Sequence, residues 1–156
     1  MLFRSDRLAE DKEHDLALLH IYGARGLKPL NLTGGAAKTS IDVVGIADPQ
    51  SQGGAAAVSS VKGALASVGG GDAALSPPPA VGFSGGPAVD GEGKFAGVTL
   101  LKPAMIAGPA TAAPASQAVM VSPDAVRDFL KANAVAANGT SSDAKAAVVR
   151  VICVRK

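Results

Sequence analysis

The chain has 156 residues, 47% of them hydrophobic, with 15 Lys and Arg set against 13 Asp and Glu. That length suits one ordinary domain, and a net charge of +2 with no basic cluster among aromatics argues against nucleic acid as a partner. A single cysteine excludes an internal disulfide framework and a multi-thiolate metal site, and there is no run of about 18 apolar residues to span a membrane. With no Trp, one Tyr and four Phe, any core is built from small aliphatic side chains, while 19 Gly and ten Pro favour many short elements over a helical bundle.

In chain order, the lead-in "MLFRSDRLAEDKEHD" is charged and lacks the apolar stretch of a signal peptide. "DLALLHIYG", residues 15–23, is read as a buried strand closed by glycine. "ARGLKPLNL" turns away from it through Pro29, and "LTGGAAKT" is a loop. "SIDVVGIADP", residues 40–49, predicts a strand rich in β-branched residues, followed by a turn at "QSQGG". "AAAVSSVKGALASV", residues 55–68, fits a strand pair or one weak helix, and its serines, valines and Gly63 favour strands.

"GGGDAALSPPPAVG", residues 69–82, reads as irregular, because three consecutive prolines cannot sit inside a sheet. "GPAVD" and "KFAGVTLLK" flank "GEG" and predict a hairpin. An Ala/Pro-rich excursion, "KPAMIAGPATAAPASQ", precedes a short strand at "AVMV", residues 118–121. A helix follows: Ser122 is a suitable N-cap, Pro123 fits the first position and Asp124 faces the positive end of the dipole. Val126, Phe129 and Leu130 give it an apolar face. "NAVAANGTSSDAK" reads as a linker and "AAVVRVICV", residues 146–154, as a last strand. The sum is an all-β, mainly antiparallel barrel or sandwich with one C-terminal helix.

Ser84, in "VGFSGGP", is the candidate nucleophile. "GFSGG" fits the G-x-S-x-G elbow of α/β-hydrolases in form, yet Gly86 and Pro87 stand where a helix should begin and no histidine occurs after His20. Asp15, His20 and Ser84 could fill a triad on paper. However, five residues of strand separate Asp15 from His20 by roughly 16 Å and put them on opposite faces. His14 fails similarly, since adjacent strand residues point apart, so neither histidine serves as the base. Both read as surface or strand-edge residues, Asp90 and Glu92 as hairpin-turn acids, and Cys153 as a buried small apolar residue. No metal or cofactor is expected.

The order of pieces nevertheless resembles a known family. "DLALL", opening at Asp15, followed some seventy residues later by "GFSGGPAVDGEGKFAGV", is similar to the C-terminal part of a chymotrypsin-like serine peptidase, most of all the bacterial HtrA/Deg type. "LKPLNL" resembles the segment joining the two barrels of that family, "SIDVVGIADPQ" the opening of the second barrel, "DAAL" the stretch before the serine loop, and "AVMVSPDAVRDFLK" the last strand and closing helix. The likeness runs from Arg7 to Lys131.

The resemblance implies a trypsin-like six-stranded second barrel at residues 34–132, preceded by a remnant of the first barrel and the linker at residues 1–33. Residues 133–156 fall beyond it as a linker and extra strand, expected to pair with the barrel. By the same resemblance Asp15 orients a catalytic histidine, Ser84 attacks the scissile carbonyl, and the backbone N–H groups of Gly82 and Ser84 form an oxyanion hole. Gly97, Val98, Thr99, Leu100 and Leu101 form an edge strand for an extended polypeptide substrate.

The sequence departs from the family at Phe83, where Asn or Asp is usual, and at Pro77, Pro78 and Pro79, which replace a polar lead-in. The family's histidine precedes its aspartate by a few tens of residues. The chain is therefore expected to be a partial peptidase domain, inactive alone, associating with a first-barrel segment or another chain. The competing expectation is a non-catalytic, peptidase-like module that binds an extended peptide. Relatives of this type act outside the cytoplasm.

Overall fold

The computed structural model describes residues 3–35, 39–48, 57–67, 73–102 and 117–153. Within them the alternating and β-branched runs form strands β1 (Ser5–Asp11), β2 (Leu16–Ile21), β3 (Ser40–Ile46), β4 (Val58–Ser67), β5 (Ala73–Ser76), β6 (Pro87–Val89), β7 (Phe95–Lys102) and β8 (Gln117–Val121). Helices α1 (Pro123–Ala132) and α2 (Ala144–Ala147) follow. The paired strands are antiparallel: β1 and β2 make a two-stranded ribbon, and the other six close into a barrel in the order β3-β4-β5-β8-β7-β6. The all-β expectation therefore holds, with a closed six-stranded barrel, a second small sheet and a C-terminal helix. Its general shape is consistent with a trypsin-like barrel.

Strand alternation explains where the core sits. Ile41 and Val43 of β3 point inward with Leu75, Ala88, Ala96, Ala118 and Met120, and Phe83 fills the middle of this otherwise small-residue interior. On the outside of β7 and β8, Phe95, Val121 and Val126 gather Leu16 of the ribbon, Leu30 and Leu32 of the linker, and Leu100 and Leu130. This second cluster holds ribbon, linker and helix to one side of the barrel.

The helix forms as its sequence predicts. The Ser122 hydroxyl accepts the Ala125 N–H at 3.2 Å, with Pro123 and Asp124 in the first turn. Arg127 then ties the helix to the linker. Its Nε and Nη2 donate to the carbonyls of Leu32 at 2.7 Å and Gly35 at 2.8 Å, while Nη1 meets Asp124 at 2.6 Å.

Several expectations change. The charged lead-in is not a bare approach segment; its residues make β1, whose exposed face tolerates Arg7 and Glu10 as an ion pair at 3.1 Å. β2 is not buried, because a two-stranded ribbon has no second sheet to cover it; Leu16, Leu18, Leu19 and Ile21 are half-buried, and Ala17 and His20 exposed. Within 55–68 there is one long strand rather than a pair, and β5 forms between it and β8 just ahead of the prolines.

The tail is not a strand. Asp143 caps the short helix α2 by accepting the Lys145 N–H, and residues 148–153 continue as coil, leaving Cys153 exposed rather than buried. It still returns to the barrel: Leu30 and Asn31 bridge Ser141 and Asn138, and Ala144 and Val148 pack on Val44 and Val89. The expected turn at 50–54 and most of the Ala/Pro-rich excursion, 103–116, lie outside the described residues.

Replacing Arg127 with Met keeps the apolar stem but orphans two carbonyls. This change should lower stability by about 2–3 kcal/mol, against about 1 kcal/mol for Ser122→Ala. Chemical-denaturation midpoints at unchanged slope would check the ranking.

Candidate functional site

The Ser84 loop is anchored from beneath. A 3-10 turn, Val81–Phe83, leads into it, and the Phe83 ring is 1% exposed within the barrel core. Room for the ring comes from Gly45 on β3, where an added Cβ would stand 2.7 Å from the ring and 2.6 Å from Phe83 Cα. The apolar residue that departs from the family pattern therefore sets the loop by packing instead of by polar contacts. After Ser84 the chain reverses through Gly85 at φ +80, a conformation costly for any residue with a Cβ.

Backbone hydrogen bonds stitch this loop to β7. Gly85 N–H donates to the Thr99 carbonyl at 2.7 Å, and Thr99 N–H donates to the Gly86 carbonyl at 2.9 Å. Ser84 itself is exposed, and its Oγ accepts the Leu101 N–H at 3.3 Å. The nucleophile candidate thus sits at the end of the barrel, in register with the strand expected to hold a ligand.

That strand is less open than expected. β7 lies between β6 and β8, with Gly97 and Val98 paired to Ala88 and Pro87 and the Thr99 backbone engaged by the loop. Among the described residues, Leu101 is the first on that side whose N–H meets no backbone carbonyl. Thr99 and Gly97 are buried, and Val98, Leu100 and Leu101 are half-buried. Thr99 Oγ1 is buried with no hydrogen-bond partner among the described residues.

Of the two amides expected to make an oxyanion hole, that of Ser84 is already engaged. Gly82 lies inside the 3-10 turn, and the Ser84 N–H donates to the Val81 carbonyl at 3.1 Å. Presenting the Ser84 N–H to a ligand requires opening that turn.

Asp15 does not open β2 but immediately precedes it, in the β1–β2 turn at φ +53. It lines a cleft of about 240 Å³ with His14, Leu100 and Leu101, whereas Ser84 lines another of about 640 Å³. Leu101 connects the two, lining the first and bonding Ser84. The larger cleft has Gly82, Gly85 and Gly86 along its floor and tail residues Val149 and Val151 on its wall.

Sequence reasoning missed a histidine–carboxylate pair. His14 Nδ1 lies 2.7 Å from Asp11 Oδ2, while Asp11 Oδ1 accepts the backbone N–H groups of Glu13 and His14. The signal is an acid three residues before the histidine in a polar segment, and residue 14 lies in a turn rather than in the expected strand. The second histidine, His20, stacks beside Tyr22 on the exposed ribbon, with ring centroids 4.4 Å apart. Asp90 is a turn acid, its Oδ1 accepting the Glu92 and Lys94 N–H groups at 2.9 and 3.0 Å. No group of three or more His, Cys, Asp or Glu suited to a metal occurs among the described residues.

No protein-family model matches the chain, and no curated protein matches it.

Two outcomes follow from this geometry. Phe83→Ala should cost about 3–5 kcal/mol, and Gly45→Ala, which crowds the same ring, about 1–3 kcal/mol, both read from denaturation curves. The second concerns Asp11, whose carboxyl is held below its ordinary value chiefly by the hydrogen bond from the His14 side chain, against some desolvation. Its contribution to stability is then full above the unfolded carboxylate value of about 4 and lost as pH falls through the lower folded value. A carboxyl NMR titration should show the depressed midpoint, which rises toward the ordinary range in His14→Ala, where the backbone N–H bonds to Asp11 remain.

Proposed function

We propose that this chain carries the nucleophile side of a trypsin-like serine endopeptidase site, with the HtrA/Deg type as the nearest sequence pattern. The observation that carries the reading is Ser84: an exposed hydroxyl on a glycine-rich loop, bonded to Leu101 on the strand beside it. In such a site a histidine removes the serine proton, Oγ attacks the peptide carbonyl, and backbone N–H groups hold the resulting oxyanion. Collapse of the tetrahedral species releases the amine and leaves an acyl-serine, which water then hydrolyses. Asp15 would orient the histidine, and Gly82 and Ser84 would donate to the oxyanion.

As folded, the chain should do little of this alone. No histidine is among the described residues lining the Ser84 cleft, and the Ser84 N–H is engaged by Val81. Loss of a triad member costs several powers of ten in rate. The second reading, a module that binds an extended peptide without cutting it, is favoured by that same engaged N–H.

Free imidazole separates the two, because it supplies the missing base from solution. A fluorophosphonate should label the chain at background in plain buffer and at least about tenfold faster with added imidazole, a partial return of a loss near 10⁴-fold or more. Labelling should vanish in Ser84→Ala. No labelling with imidazole, together with saturable binding of an extended peptide, would transfer the assignment to the binding module.

A further inference from the structure

We infer that residues 149–153 form a strap at the mouth of the Ser84 cleft, controlling access to the hydroxyl. This rests on the reading of Ser84 as the functional centre. Three observations carry it. Gly82, Ser84, Gly85 and Gly86 line the same cleft of about 640 Å³ as residues 148–151, so tail and serine border a common space.

The tail is also firmly anchored up to a definite point and not after it. The Leu30–Ser141 and Asn31–Asn138 bridges, the capped helix α2, and Val148 packed with Val44, Val89 and Ala144 fix its near end. Beyond Val148, no hydrogen bond joins residues 149–153 to any other described residue. The hinge therefore falls at residues 148–149, where Val148 has the extended backbone φ −77, ψ 132.

Finally, the apolar side chains that a closing strap would bury stand exposed on both rims. Val81 is 84% exposed on the loop side, and Val149 and Val151 are 52% and 58% exposed on the tail. Bringing them together removes apolar area from water, which favours the closed arrangement. A polypeptide reaching Ser84 must displace the strap or enter from the Leu101 side. The strap acts by occupying space and needs no chemistry of its own.

A thiol at position 84 reads access without requiring a catalytic base. In the full chain carrying Ser84→Cys and Cys153→Ser, alkylation by N-ethylmaleimide is compared with the same chain ended after Val148. Shortening should speed alkylation about fivefold, as expected if the strap covers the cleft four-fifths of the time. An unchanged rate overturns the inference. Should the shortened chain lose its circular-dichroism signature, Val149→Gly with Val151→Gly at full length takes its place, with the same increase expected and the same result overturning it. Imidazole-dependent labelling of Ser84 is measured alongside. Alkylation that speeds up while labelling stays absent supports the strap and removes the peptidase reading; labelling that persists while alkylation stays flat does the reverse.

Discussion

The burial of Phe83 in the barrel core is the constraint on which the rest of the site depends. The other buried residues of that core are three alanines, one valine, one isoleucine, one leucine and one methionine, so a single aromatic ring supplies much of its volume. Because the ring enters from the loop, core packing and loop position become one problem. Ser84 is the next residue, and it cannot move far without withdrawing the ring from beside Gly45. A polar residue at this position would have to set the loop by hydrogen bonds; here cohesion of the core does it. The consequence is a loop conformation tied to the stability of the whole barrel.

That coupling explains why the loop can hold a closed 3-10 turn and still keep its serine exposed. The ring fixes the inner side, while the Gly85 and Gly86 backbone groups pair with Thr99 on β7. What remains adjustable is the peptide unit joining Phe83 to Ser84, whose N–H donates to the Val81 carbonyl at 3.1 Å. Opening that bond frees the Ser84 N–H without disturbing the bonds to Thr99. The arrangement therefore leaves one peptide unit able to turn on a support held by the core.

The barrel was legible in the sequence wherever one face of a strand had to be buried. In "SIDVVGI" and "KFAGVTLLK" the alternation is imposed by the core, and the N-cap of α1 was legible because Ser122, Pro123 and Asp124 each act locally. Elements without a buried face were not. β1 is written in charges, since a ribbon open to water asks for no apolar alternation, and the four-residue β5 was masked by the prolines behind it. The valines of residues 148–151 have the composition of a strand, yet they line a cleft beside β3 without pairing to a strand among the described residues. At the site, Ser84 and Asp15 were visible as parts of ordered motifs. The Asp11–His14 pair was not, because it depends on a turn bringing two residues back onto each other. Nor could the sequence tell that Phe83 works from inside.

Leu101 joins these separate parts. Its N–H holds Ser84 Oγ, its position lines the cleft containing Asp15 and His14, and it is the first residue on its side of β7 free of backbone pairing. One N–H cannot serve two acceptors at full strength. An extended chain adding to β7 at this point would offer a backbone carbonyl to Leu101 and compete with the serine oxygen. The existing bond is long at 3.3 Å, near the outer limit for a useful N–H···O contact, so exchanging it for a carbonyl at ordinary distance is favourable. A chain added there would therefore compete with the Ser84 hydroxyl for the Leu101 N–H.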